Sequence, residues 1–205
     1  MTERPDWVAA AATTLVAAPS LSGEDGGGGV CTAFLDRAGP SATSLWVTYT
    51  RTPSACVEAY RETSHSTGAT PTLSVIAVGD TGTDAALSRE TVTVQTVSTP
   101  SDLTGLGITL SQSFSAHDDV VVCFDSLTAL LQYVDLPTVY EFLHAVTGQL
   151  DAADAGAHFH VDPTAHDRQT VDALASPFDA VVECCDGNVR FERADRCTIS
   201  LINFI

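Results

Sequence analysis

Short apolar runs alternate with amphipathic segments through most of the chain. The runs near Thr14–Ala17, Leu45–Tyr49, Leu73–Val78, Val120–Phe124 and Ala157–Val161 have the length and residue types of strands. Val120–Phe124 is apolar throughout, which is typical of a strand covered on both faces. Because such strands belong to parallel sheets, the pattern predicts helices on both sides of the sheet.

The segments between these runs carry the start signals of helices. Thr52 is placed as an N-cap, with Pro53 at the first helical position, for a helix that continues to about Glu62. Asp102 is placed to begin a helix that ends near Ala116. These signals predict helices that connect successive parallel strands.

Further helices are predicted over Ser126–Tyr133, Pro137–Ala153 and Gln169–Ala175. The longest of them has its apolar residues on one side of the helix, which indicates that this side packs against the sheet. That face consists of Val139, Phe142, Leu143, Val146 and Leu150.

After the last predicted helix, strands follow one another without helices between them. Ala180–Glu183, Asn188–Glu192 and Thr198–Phe204 read as strands, with Asp186–Gly187 as a hairpin turn, and Thr91–Val97 reads as a short strand earlier in the chain. The whole order predicts one domain over residues 1–205. Its fold is expected to be α/β, with a mainly parallel, doubly wound sheet and antiparallel C-terminal strands.

Charge is strongly one-sided. All nine basic residues are arginine, 26 residues are acidic, and the formal net charge is −17. At about 1 M salt the Debye length is about 3 Å, so the mutual repulsion of these carboxylates is screened. A GC-rich genome would explain the missing lysine but not the acid excess. The composition therefore predicts a protein of a halophile's cytoplasm.

The same composition excludes several function classes. A negative surface repels nucleic acid and anionic lipid, and the sequence has no basic stripe. No apolar run reaches membrane-spanning length. The six cysteines are scattered, mostly in apolar runs, as expected for buried thiols in a reducing compartment.

One segment resembles a known motif. Val120–Leu130 is an apolar strand that ends in Asp125-Ser126 and leads into a helix, and it is similar to the Walker B strand of the RecA/KaiC-like ATPase superfamily. In that family the aspartate orients the magnesium ion of bound ATP, so the resemblance implies this position for Asp125. The chain is most similar to small, degenerate KaiC-like proteins of halophilic archaea.

The phosphate-binding motif of that superfamily is not intact. A P-loop reads G-x-x-x-x-G-K-[ST]. A count from Gly23 places Gly28 on the second glycine, Gly29 on the lysine and Val30 on the hydroxyl residue. The chain has no lysine for any register, and Glu24–Asp25 would bring like charge to the phosphates.

The family's catalytic glutamates are also missing, because their place after the second strand reads Tyr49–Thr52. Phosphoryl transfer depends on positioned charge, so these losses argue against ATP hydrolysis and against any cofactor. A vestigial nucleotide pocket, with Arg51 in place of the lost cation, would consist of Gly23, Gly28, Gly29, Arg51, Asp125 and Ser126. In the alternative interpretation the glycines belong to a surface loop, and Asp125 is the N-cap of the following helix.

Histidines form a second constellation. His158 and His160 share a strand face, and Asp162, His166 and Asp167 follow. Cys184-Cys185 end a nearby strand. A zinc site or a metal-dependent hydrolase is one interpretation, but no C-x-x-C or H-x-x-x-H spacing supports it. We expect no metal and interpret these polar residues as the means of fixing a loop.

Basic residues concentrate near the C-terminus, at Arg190, Arg193 and Arg196. They indicate either a salt-bridged hairpin or a docking patch for an acidic partner. The final segment, Ile199–Ile205, is an edge strand or a strand offered to another subunit.

The sequence thus predicts a non-catalytic regulatory or signalling interaction module with a RecA/KaiC-like fold, which binds a protein partner or itself. The alternative is a nucleotide-binding sensor or ATPase with a rebuilt, lysine-free phosphate site.

Overall fold

The computed structural model describes residues 12–19, 42–63, 72–80, 92–185, 188–193 and 196–203. The glycine loop at Gly23–Gly29 and the turn at Asp186–Gly187 lie outside these residues, so the structure does not bear on either prediction.

Strands and helices alternate along the described chain as the apolar pattern predicts. The strands are β1 Thr13–Ala17, β2 Thr43–Thr48, β3 Thr72–Val78, β4 Val92–Val97, β5 Val120–Asp125, β6 Gly156–Val161, β7 Ala180–Cys185, β8 Asn188–Arg193 and β9 Arg196–Asn203. The helices are α1 Pro53–Thr63, α2 Leu103–Ala116, α3 Leu127–Leu130, α4 Leu136–Ala152 and α5 Arg168–Ala175.

All these strands join one sheet in the order β4-β3-β2-β5-β6-β1-β7-β8-β9. Every pairing from β4 through to β7 is parallel. The β7–β8 and β8–β9 pairings are antiparallel. The predicted α/β fold with a mainly parallel sheet is therefore confirmed.

Helices cover both faces of the sheet. On one face, Phe124 stacks on Phe159 with 5.1 Å between ring centroids, and the predicted apolar face of α4 packs against them. On the opposite face, α1 places Cys56, Val57 and Tyr60 against Trp46. Side chains alternate between the faces along each strand, so the apolar runs are buried on both sides.

The helix starts follow the capping signals in the sequence. The Thr52 hydroxyl accepts a hydrogen bond from the amide of Ala55, and the Asp102 carboxylate accepts one from the amide of Gly105. Each cap satisfies an amide that has no partner inside its helix. The helix after β5 is shorter than predicted, because α3 ends at Leu130 and the chain continues in turns.

Candidate functional site

The carboxyl ends of β2 and β5 bring two opposite charges together. The two strands are neighbours, and their register sets Thr48 beside Asp125. In the turn after β2, the Nε atom of Arg51 lies 3.4 Å from Oδ2 of Asp125. The hydroxyl of Thr50 donates to the same oxygen at 3.5 Å. We refer to this contact as the Arg51–Asp125 pair.

The turn that carries Arg51 is held by Thr48. Its hydroxyl oxygen accepts hydrogen bonds from the amides of Arg51 at 2.9 Å and of Thr50 at 3.3 Å. The guanidinium carbon lies 5.9 Å from the ring centre of Trp46, within the range of a cation–π contact. The position of Arg51 is thus fixed through its backbone as well as by its charge.

The Arg51–Asp125 pair is partly withdrawn from water. The side chains of Arg51 and Asp125 are 33% and 18% exposed. The Arg51 guanidinium places a positive charge beside the Asp125 carboxylate without a bound ion. A divalent cation on Asp125 Oδ2 would have to compete with a charge that belongs to the protein itself.

Ser126, and not Asp125, caps the helix that follows β5. Its hydroxyl oxygen accepts from the amide of Ala129 at 3.2 Å, while the Asp125 side chain turns toward Arg51. The alternative interpretation of Asp125 as the N-cap is therefore wrong. The peptide bond between Asp125 and Ser126 is cis.

A second polar cluster lies at the carboxyl end of β6. The Thr128 hydroxyl accepts from the amide of Asp162 at 2.8 Å and lies 3.2 Å from Nε2 of His166. The Asp162 carboxylate accepts from the amide and the hydroxyl of Thr164, at 2.9 and 2.6 Å. These contacts tie the loop after β6 to α3. They agree with the prediction that polar residues fix a loop here for Asp162 and His166, and they do not involve His158 or His160.

His158 and His160 lie inside the protein. They are 0% and 5% exposed, and their ring centroids are 5.8 Å apart. His166, in the loop after β6, contacts Thr128 of α3. Within the ranges that the structure describes, no three His, Cys, Asp or Glu side chains form a group that could hold a metal ion.

The sequence reasoning missed the roles of Thr48 and Thr128. Both hydroxyls accept hydrogen bonds from backbone amides of residues that lie in loops, Arg51 for Thr48 and Asp162 for Thr128. Thr48 is three residues before Arg51, the spacing of a hydroxyl-capped turn, and this signal was present in the sequence. Thr128 contacts residues 34 and 38 positions away, which no local pattern shows.

Among the C-terminal arginines, Arg190 of β8 forms an ion pair with a residue of the neighbouring strand β7. Its Nη1 lies 3.5 Å from Oε2 of Glu183, its partner in the antiparallel register. This contact matches the interpretation of a salt-bridged hairpin. The side chains of Arg193 and Arg196 lie outside the described part of the chain.

The mainly parallel sheet and the helices on both of its faces form an α/β fold of the RecA-like type. Residues 12–184 match the model of a family of unknown function, DUF7504, and the chain belongs to that family. No curated protein sequence matches the chain significantly.

Two solved structures share the fold. One is a Pyrococcus horikoshii OT3 protein studied as PH0250, with a TM-score of 0.58, 14% identity and coverage of 93% of this chain and 91% of that one. The other is the flagellar accessory protein FlaH of Methanocaldococcus jannaschii, with a TM-score of 0.51, 9% identity and coverage of 94% and 78%. At these identities the likeness shows the fold alone. None of the described helices is long and apolar enough to cross a membrane.

Proposed function

We propose that this protein is a RecA-like regulatory or signalling interaction module of a halophile's cytoplasm, and that it has lost ATPase chemistry. The observation that carries the proposal is the Arg51–Asp125 pair. In the RecA/KaiC-like family the resemblance assigns the position of Asp125 to the carboxylate that orients magnesium. Here that carboxylate already has a cationic partner from its own chain.

The absence of lysine supports the same proposal. Phosphoryl transfer needs several positive charges fixed around the phosphates, because the developing charge must be neutralised where it forms. The chain contains no lysine, and its net charge is −17. Arg51 is the cation nearest to Asp125 among the contacts described, and its engagement with that carboxylate removes it from such a role.

A nucleotide titration tests this proposal. Fluorescently labelled ATP with Mg²⁺ in molar KCl should give a flat curve for the wild-type protein. Saturable micromolar binding that disappears in Asp125→Ala would overturn the proposal. Thr138→Ala, at an exposed position in the first turn of α4, is a control for general effects of substitution.

The exposure of Arg51 favours one alternative. A third of its side chain remains accessible at the carboxyl edge of a parallel sheet, where ligands of open α/β sheets bind. A nucleotide-binding sensor with a rebuilt, lysine-free phosphate site would use Arg51 for the phosphates. In that case the titration would show binding that is lost in Arg51→Gln.

A further inference from the structure

Among the strands that the structure describes, none pairs with β4 on the side away from β3. The strand β4 pairs with β3 from Leu73↔Val92 to Val78↔Val97, and in the described sheet it is the last strand on this side. Thr93 and Thr96 are exposed. The side chains of both threonines therefore reach solvent, one on each face of the sheet.

The backbone groups on that open side can be identified from one hydrogen bond. The amide of Gly79 donates to the carbonyl of Val97 at 2.8 Å, so the polar backbone groups of Val97 face β3. Along a strand these groups alternate in direction from one residue to the next. The N–H and C=O groups of Val92, Val94 and Thr96 consequently point away from β3, toward the open side.

Nothing in β4 protects this edge. Sheet proteins usually guard an open edge with charged residues, proline or a β-bulge. The strand Val92–Val97 reads VTVQTV, without charge or proline, and its register with β3 is continuous. The outward backbone groups of β4 have no partner among the described strands. In a chain with a net charge of −17, such an uncharged strand is a surface that a second acidic molecule can approach.

We propose that two copies of this protein pair through β4 in an antiparallel, two-fold symmetric arrangement. Directly opposed residues of antiparallel strands lie on the same face, so the symmetry axis must pass through a residue position. An axis at Val94 sets it opposite the partner's Val94, and sets Val92 opposite the partner's Thr96. All the outward backbone groups of Val92, Val94 and Thr96 then form hydrogen bonds.

This register also keeps every opposed pair uncharged, because Thr93 meets the partner's Gln95. The helices on each face of one sheet continue on the same face of its partner, which gives one sheet across both copies. The proposal names the partner of the interaction module proposed above, and so rests on that role. The pairing does not depend on what Asp125 contacts. A molecular mass that does not rise with concentration would contradict the pairing alone, and saturable nucleotide binding would contradict the proposed function alone.

Sedimentation equilibrium in molar KCl tests the association. The wild-type protein should show a concentration-dependent mass that approaches twice the 21.4 kDa of one chain. Thr96→Pro removes one outward N–H per copy and leaves the bonds to β3. Two lost hydrogen bonds of about 1 kcal/mol each raise the dissociation constant by about 30-fold. Thr96→Ser keeps the amide and should associate like the wild type.

Circular dichroism and thermal melting must show that Thr96→Pro is folded. If it does not fold, Thr96→Lys, which places a charge on the same edge, takes its place. A wild-type protein that stays at 21.4 kDa at all concentrations overturns the proposal. Equal association of the proline and serine variants also overturns it, since the contact then lies elsewhere.

Disulfide formation between mixed variants tests the register. Thr93→Cys protein mixed with Gln95→Cys protein should form a covalent heterodimer, because these positions are directly opposed. Each variant alone, like the wild type, should stay monomeric on a non-reducing gel, since the diagonal separation of about 7–8 Å is too long for a disulfide. Covalent homodimers of Gln95→Cys would overturn the axis at Val94.

Discussion

Among single residues, Asp125 matters most for the proposed loss of ATPase chemistry, because of the groups that it contacts. Its oxygen Oδ2 lies 3.4 Å from Nε of Arg51 and accepts a hydrogen bond from the hydroxyl of Thr50. A surface ion pair contributes little to stability, about 0–1 kcal/mol, and we assign no large folding role to this one. Its consequence is chemical, because it supplies from within the protein the positive charge that a bound metal ion would otherwise bring.

Tyr49, next to this turn, gives a prediction at the residue scale. Burial raises the pKa of its phenol above the ordinary value of about 10. Its ring lies 5.8 Å from that of Phe124, and its hydroxyl donates to the carbonyl of Pro100. Since the folded-state pKa is raised, the neutral phenol contributes stability below about pH 10 that is lost as pH rises further.

Tyr49→Phe should therefore reduce the loss of unfolding free energy between about pH 9 and pH 11, because this residue then has no phenol that can ionise in the unfolded chain. Urea denaturation at a series of pH values measures this. Tyr133→Phe, at a ring that is 54% exposed, is the matched control and should leave the alkaline slope unchanged. Identical slopes for the Tyr49→Phe variant and the wild type would show that burial of Tyr49 does not govern alkaline unfolding.

At the scale of elements, helix α5 begins with a charged cap. The Asp167 carboxylate accepts from the amide of Thr170 at 2.7 Å. That backbone hydrogen bond, then the side-chain hydrogen bond to Thr170 and the charge of His166, lower the pKa of Asp167. A depressed folded-state pKa contributes stability above the unfolded value of about 3.9, and this stability is lost as pH falls through the folded-state pKa.

Asp167→Asn should keep the cap, because asparagine caps helices as well as aspartate does. Its unfolding free energy near pH 6 should stay close to that of the wild type, while the loss between about pH 5 and pH 3 becomes smaller. Denaturation at these pH values checks both expectations. An acid slope as steep as that of the wild type would contradict the role given to the Asp167 carboxylate.

Most elements could be predicted from the sequence because they depend on local signals. The apolar run at Val120–Phe124 and the caps at Thr52 and Asp102 all have their predicted roles. The helix after β5 was predicted too long, since the residues beyond Leu130 are apolar enough to suit a helix but form turns. Local patterns do not encode how a segment packs on its neighbours.

The candidate site could be predicted only in part. The sequence marked Asp125 by its place at the end of a buried strand, and it offered Arg51 as a substitute cation. Their contact depends on the β2–β5 register, which sets Thr48 beside Asp125 across residues far apart in sequence. No periodicity within one segment carries that information.

At the scale of the whole molecule, charge governs the dependence on salt. The formal charge of −17 opposes the compact state, and the Debye length falls from about 10 Å at 0.1 M salt to about 3 Å at 1 M. We therefore expect the urea midpoint to rise between 0.1 M and 1 M KCl. The triple variant Asp118→Asn, Asp119→Asn and Asp151→Asn removes three exposed carboxylates and should show a smaller rise.

The wild type and the triple variant have the same apolar core, so salt strengthens their apolar contacts equally. A difference between their midpoint shifts therefore measures the screening of repulsion among carboxylates. Equal rises in the wild type and the triple variant would mean that repulsion among carboxylates does not set the salt dependence. The same screening should strengthen pairing through β4, since two copies approach with like charge.

We propose that Arg51 supplies the cation at Asp125 in a protein that has lost ATP chemistry. The rate of phosphate release from Mg²⁺-ATP in molar KCl tests it most directly, with wild type and Asp125→Ala measured side by side. We predict that the two proteins release phosphate equally slowly, at the rate of the buffer. Turnover by the wild-type protein that Asp125→Ala abolishes would contradict the account.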